Sequence, residues 1–194
     1  MMLCLLAAHT VWAQKTYKVS SPDGKVSVSV RVSDKVYYDV ESHGEQLFKN
    51  SHIGLTLQGG ILPQTPKVQG VRQSKVSEVV KPIFALKANE VDNTYNLMTM
   101  TMKGGYSIQW RVYNDAVAYR FITSLKGDIM VKAEDCTLQL TKDTRLTLQQ
   151  PHGFKTSCEE IYSNVQSQLW SSKDKMSELP IVIVGETQKV LLSE

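Results

Sequence analysis

The chain has 194 residues, 42% of them hydrophobic and 21% charged, with a formal net charge of +3 at pH 7. That length fits one domain, and the apolar fraction builds a core without structural metals or several disulfides. The basic residues are spread along alternating segments, which describes solvated strand faces and excludes a nucleic-acid groove, where basic and aromatic residues cluster.

Residues 1–13, MMLCLLAAHTVWA, form a short apolar run ending in a small residue before Gln14. The run is too short for a membrane span of ~20 residues. It reads as an export signal cleaved after Ala13, most simply into a periplasm, although no basic residue opens it. An N-terminal strand is the other reading. Cys136 and Cys158 remain after cleavage. In an oxidising compartment one disulfide between them would stabilise the fold by ~3 kcal/mol; two buried free thiols are the alternative. Two cysteines are too few for a structural zinc site.

A period of two then takes over, which places successive side chains on opposite faces of a strand. Val26, Val28, Val30 and Val32 alternate with Ser27, Ser29 and Arg31; Asp34 and Lys35 turn the chain; Val36, Tyr38 and Val40 form the partner strand. His43 and Gly44 turn it again before Ile53, Leu55 and Leu57, and Gly59-Gly60 ends that run. Between Pro63 and Glu90 the pattern is weak, with short apolar groups such as Val79-Val80 and Ile83-Phe84. Met98, Met100 and Met102 share a strand face, an arrangement expected of core filling.

Residues 104–123, GGYSIQWRVYNDAVAYRFIT, read as a complete hairpin. Tyr106, Ile108, Trp110 and Val112 form one apolar stripe, and Val117, Tyr119 and Phe121 form the other. Asn114 and Asp115 suit the reversal because they tolerate positive φ and hydrogen-bond locally. Leu138, Leu140, Leu146 and Leu148 continue the strands, residues 165–176 leave room for a short helix, and residues 181–184 are a continuous apolar run expected of a strand covered on both faces. Many short strands with turn signals between them make an all-β sandwich of one domain.

The wording GGYSIQWRVYNDAVAYRF resembles the N-terminal domain of glycoside hydrolase family 97, bacterial α-glucosidases and α-galactosidases. The likeness extends through Ser20-Ser21-Pro22-Asp23-Gly24-Lys25, the run Ser51-His52-Ile53-Gly54-Leu55, Tyr95-Asn96-Leu97, and the ending from Leu179-Pro180 to Leu191-Leu192-Ser193-Glu194. It covers residues 20–194. Ala116 departs from it, standing where the family usually has Gly. The resemblance implies an antiparallel β-supersandwich, similar to galactose mutarotase, followed in family members by a (β/α)8 barrel that carries the catalytic carboxylates. None of that barrel is in this sequence, and the ending at Glu194 reads as a truncation.

The resemblance also implies that Glu194 is one ligand of a calcium ion completed by the barrel. Calcium takes six to eight hard oxygen donors, so one carboxylate cannot hold it alone. Cys158-Glu159-Glu160-Ile161-Tyr162 resembles a family loop facing the domain interface, which makes Glu160 and Tyr162 candidates for sugar or interface contact; a plain polar loop is the other reading. Adjacent Glu159 and Glu160 on a strand would point to opposite faces, poorly placed to flank one glycosidic oxygen. Trp170, in a polar stretch, is the better candidate for stacking on a sugar, whereas Trp110 belongs to the core. His43, His52 and His152 read as surface histidines.

The expected function is therefore a non-catalytic accessory domain of a secreted, calcium-dependent α-glycosidase acting on oligosaccharides. The chain alone is expected to be inactive, with no nucleic-acid partner and no membrane span. A free-standing carbohydrate-binding sandwich and a mutarotase-like epimerase are the alternatives. Inverting or retaining chemistry and glucose or galactose specificity belong to the barrel.

Overall fold

The structure, a computed structural model, describes residues 15–62, 65–140, 144–157, 159–169 and 176–193. Residues 1–13, Cys158, Trp170 and Glu194 lie outside the described residues, so the expectations placed on them stay with the sequence.

Antiparallel strands in three sheets make up nearly all of the regular structure among the described residues. The first sheet is built on β1 (Thr16–Ser20), β2 (Val26–Val32), β3 (Val36–Ser42), β4 (Glu45–Leu57) and β10 (Val131–Thr137), in that order, with β5 (Gly60–Leu62) also on β4. The second runs β6 (Val68–Val80), β7 (Val91–Met102), β8 (Tyr106–Val112), β9 (Val117–Thr123). The third orders β12 (Ser163–Gln166), β11 (Arg145–Gln149), β13 (Glu178–Val184) and β14 (Lys189–Leu192).

The alternation seen in the sequence sets the register. In β2 and β3, Val28 faces Val40 and Val30 faces Tyr38, all buried. His43 (φ 51°) and Gly44 (φ 83°) make the tight reversal into β4 in the left-handed region that hairpin turns need. Trp110 pairs with Tyr119 and Ile108 with Phe121 across the β8–β9 hairpin, which the Tyr113 N–H closes on the Ala116 carbonyl at 2.8 Å. Met98, Met100, Met102, Ile108 and Trp110 lie against the valines of β2 and β3, and Leu146, Leu148 and Ile183 of the third sheet join the same core. The supersandwich expected from the sequence is the fold.

Polar side chains lock the first two layers at one edge. The Gln73 amide donates to the Lys18 carbonyl and the Asn96 amide to the Ser20 carbonyl, each at 2.8 Å, and the Asp23 N–H donates to Asn114 Oδ1 at 3.0 Å. The β1–β2 turn is thereby held against the β8–β9 turn.

Several local expectations meet their outcome here. The weak pattern after Pro63 hides a 13-residue strand, β6, most of whose residues are exposed, so it shows no apolar alternation. Residues 165–169 give the end of β12 and a single 3₁₀ turn, Ser167–Leu169, and the rest of the segment expected to hold a short helix, residues 170–175, lies outside the described residues. In β13 Ile183 is buried and Ile181, Val182 and Val184 are partly buried, so both faces of that run are at least partly covered. Leu138 and Leu140 fall just past β10, although both still pack against the core.

Candidate functional site

The loop from β11 to β12 carries the candidates Glu160 and Tyr162. Gln149, at the end of β11, donates its side-chain N–H to the Glu160 carbonyl, and the Ser177 hydroxyl donates to the Gln149 carbonyl at 2.8 Å. His152 Nδ1 lies 2.7 Å from Glu160 Oε1. Glu159 and Glu160 sit in this irregular segment and not on a strand, which replaces the opposite-face argument. Tyr162 is 47% exposed, and Phe154 and Ile161 of the same loop are almost fully exposed. A carboxylate and an imidazole do meet here, but on an open surface. Together with the Gln149 bond to the Glu160 carbonyl, the pair holds the loop against the end of β11.

A second carboxylate acts as a clamp. Glu45, the first residue of β4, accepts the Glu186 N–H at 2.8 Å and the Thr187 N–H at 2.9 Å, and the Thr187 hydroxyl as well. Those donors belong to the turn between β13 and β14, so Glu45 ties the first sheet to the third. The Thr187 hydroxyl, helped by the turn amides, holds the Glu45 carboxyl below its ordinary value against the opposing effect of burial. A Cβ at Gly185 would run into Glu45 Oε1, so a larger residue there displaces the carboxylate from the turn. The adjoining cavity, about 10 Å³, admits no ligand.

The open seam between β9 and β10 holds a cluster that the sequence reading missed. The Tyr119 hydroxyl donates to Glu134 Oε1 at 2.5 Å, and the Cys136 thiol also borders both Tyr119 and Tyr38. Burial pushes both phenols above their usual value, and the neighbouring acidic groups add to it. The rings of Tyr38, Trp110, Tyr119 and Phe121 form a chain with successive centroids 5.1, 5.4 and 6.3 Å apart. Period two alone shows that Glu134 and Cys136 share a face; their meeting with Tyr119 needed the pairing of β10 with β4. Cys136 is an exposed free thiol rather than a buried one.

On the outer face of the first sheet, His52 Nε2 is 3.0 Å from Asp135 Oδ2 and 2.7 Å from Lys35 Nζ. One ring nitrogen donates to the carboxylate or accepts from the ammonium, so the two contacts are alternatives of one tautomer choice. A groove of about 310 Å³ opens near the Gly104-Gly105 turn, lined by Gln69, Thr101, Ser107, Thr123 and Ser124 with Tyr106 beneath. Its lining is neutral, which suits hydrogen bonding and leaves no group to move a proton. Among the described residues no three His, Cys, Asp or Glu side chains gather to hold a metal ion, and no helix is long and apolar enough to cross a membrane.

The described residues thus form an antiparallel supersandwich with surface loops. The chain belongs to the Glycosyl-hydrolase 97 N-terminal family, which matches residues 19–194. Over 208 aligned residues it is 29% identical to the retaining alpha-galactosidase of Bacteroides thetaiotaomicron, an alignment that takes in 100% of this chain and 31% of that enzyme. It therefore spans about a third of that relative's length. A crystal structure of a beta-arabinopyranosidase shares the fold, with TM-score 0.78 at 23% identity over 91% of this chain and 31% of its own. So does a glycoside hydrolase family 97 enzyme from Pseudoalteromonas sp. strain K8 in complex with acarbose, with TM-score 0.71 at 17% identity, over 86% and 26% of the two chains.

Proposed function

We propose that this chain is the non-catalytic N-terminal accessory domain of an exported, calcium-dependent α-glycosidase acting on oligosaccharides, and that it packs on a (β/α)8 barrel. One observation carries the reading: the family match runs from residue 19 to residue 194, yet the same chain accounts for 31% of the galactosidase. The described residues do not make a calcium site by themselves. Glu194 is therefore proposed as a single carboxylate donor to an ion whose other ligands the barrel supplies, which is the hard-oxygen chemistry calcium takes. Glu160, Tyr162 and Trp170 are proposed as contacts to the barrel or to sugar.

The test is a joined protein in which this chain replaces the matched third of the Bacteroides thetaiotaomicron galactosidase. Calcium-dependent hydrolysis of p-nitrophenyl α-galactoside is expected, with Glu194→Ala weakening calcium binding by about tenfold in calorimetry, as loss of one charged donor does. Unchanged calcium affinity removes Glu194 from the site. The groove beside Gly104-Gly105 favours a second reading, a free-standing carbohydrate-binding sandwich; calorimetry of the chain against maltooligosaccharides decides it, and silence at millimolar ligand dismisses it.

A further inference from the structure

β6 and β7 remain paired from Val68 and Met102 out to Val80 and Val91, whereas β8 accompanies β7 only from Asn96 to Met102. The distal part, residues 77–80 against 91–94, is thus a two-stranded ribbon beyond the edge of its sheet, braced at its base by the buried Tyr95 and by the Tyr113 hydroxyl, which donates to Asn93 Oδ1 at 3.0 Å. Such a ribbon is marginal in water unless one face is covered. Its tip adds three large apolar side chains, with Ile83 94%, Phe84 80% and Leu86 92% exposed, and Val79, Val80 and Val91 at its base are exposed as well. Lys81 pairs with Glu90 at 3.2 Å across the neck, which leaves Lys87 as the only other charge in residues 81–90. Exposed strand edges are usually guarded by charges; a contiguous apolar patch on a soluble domain marks a contact surface, and an aromatic anchor with little charge is the composition of a buried interface centre.

The geometry points to this arm as the element that docks onto the catalytic part of the longer polypeptide, in cis. The inference rests on the accessory-domain reading and names the surface through which it works. Two facts choose the occupant. Relatives with this fold carry about twice as much chain again beyond the matched region, since the domain is 31% of both the galactosidase and the arabinopyranosidase. The patch is also small. Six side chains fall short of the ~800 Å² per partner typical of stable association between free chains, whereas a tethered neighbour at roughly millimolar effective concentration is held by much less.

Hydrogen exchange on the isolated chain and on the joined protein tests it. Residues 83–86 are expected to exchange at least about tenfold more slowly in the joined protein, as covered segments do, and trypsin cleavage after Lys87 is expected to slow in parallel. A triple variant, Ile83→Ser, Phe84→Ser and Leu86→Ser, restores fast exchange in the joined protein while leaving the melting temperature of the isolated chain unchanged. A second variant, with residues 81–90 replaced by an Asn-Gly turn, abolishes the protection of the neck at residues 79–80 and 91–92. Equal exchange in the isolated and joined proteins overturns the inference. Protection in the isolated chain that rises with concentration overturns it in favour of a second copy as the occupant. If the joined protein hydrolyses its substrate with calcium while the tip exchanges freely, the accessory reading stands and the arm alone falls.

Discussion

Trp110 offers two substitutions whose costs separate packing from polar satisfaction. Its side chain is 0% exposed, wedged between Tyr38 and Tyr119, and its indole Nε1 has no hydrogen-bond partner among the described residues. Truncation to Ala removes the largest fully buried side chain of the core, and such changes cost about 3–5 kcal/mol. Trp110→Phe keeps most of the ring stack. The residual cavity of roughly 40 Å³ costs about 1 kcal/mol at ~24 cal/mol per Å³. Against that, the substitution removes a buried unpaired N–H, whose burial costs about 1–3 kcal/mol. The two effects offset, so Trp110→Phe is expected within about 1 kcal/mol of the parent while Trp110→Ala loses about 4 kcal/mol. Urea unfolding followed by far-UV circular dichroism reads both, and a shift in midpoint at constant slope is a change in stability. A loss above about 2 kcal/mol for Trp110→Phe would refute the reasoning, because the indole N–H would then have to be satisfied.

Three further outcomes follow from the same structure. Tyr106 is buried with a hydroxyl that has no partner among the described residues, and burial raises its phenol to about 12; a raised folded value means stability complete below pH ~10 and lost as the pH climbs through the folded value. Alkaline unfolding should accordingly be shallower in Tyr106→Phe than in the parent, a variant expected to be no less stable at pH 7. Glu45 shows the opposite sign: its lowered carboxyl adds stability above the ordinary glutamate range that disappears as pH falls through the folded value. Since the group is largely open to water, screening limits the gain to about 1 kcal/mol, and the urea midpoints of the parent and Glu45→Gln should converge at acid pH. Gly185→Ala expels Glu45 from the β13–β14 turn, so a thermal-melt cycle of Gly185→Ala with Glu45→Ala should be strongly non-additive; additive losses would show that the two residues do not share the clamp.

The sequence made the buried layers legible and the exposed ones opaque, for one physical reason. Alternation is written only where one face meets a core. Val26–Val32 and the 104–123 hairpin meet that condition, and their turns and inward residues stand where the pattern put them. β6 hardly meets it: most of its residues are exposed, which removes the constraint that would have spaced its valines. The continuous run in β13 is apolar on two faces, and both are at least partly covered. Candidate site residues fared according to whether their partners are near in sequence. Glu160 and His152, eight residues apart, meet within one loop, although the sequence weighed them separately. Glu45 with Thr187 and Tyr119 with Glu134 are set by strand order and sheet stacking, which no local pattern encodes.

The central claim is that this supersandwich serves a reaction whose machinery lies in other polypeptide. The purified 194-residue chain, incubated with p-nitrophenyl α-galactoside and p-nitrophenyl α-glucoside in excess calcium, tests it most directly. Release of p-nitrophenol at the rate of buffer alone is expected for both substrates. Turnover that depends on calcium and is abolished by a chelator would contradict the account.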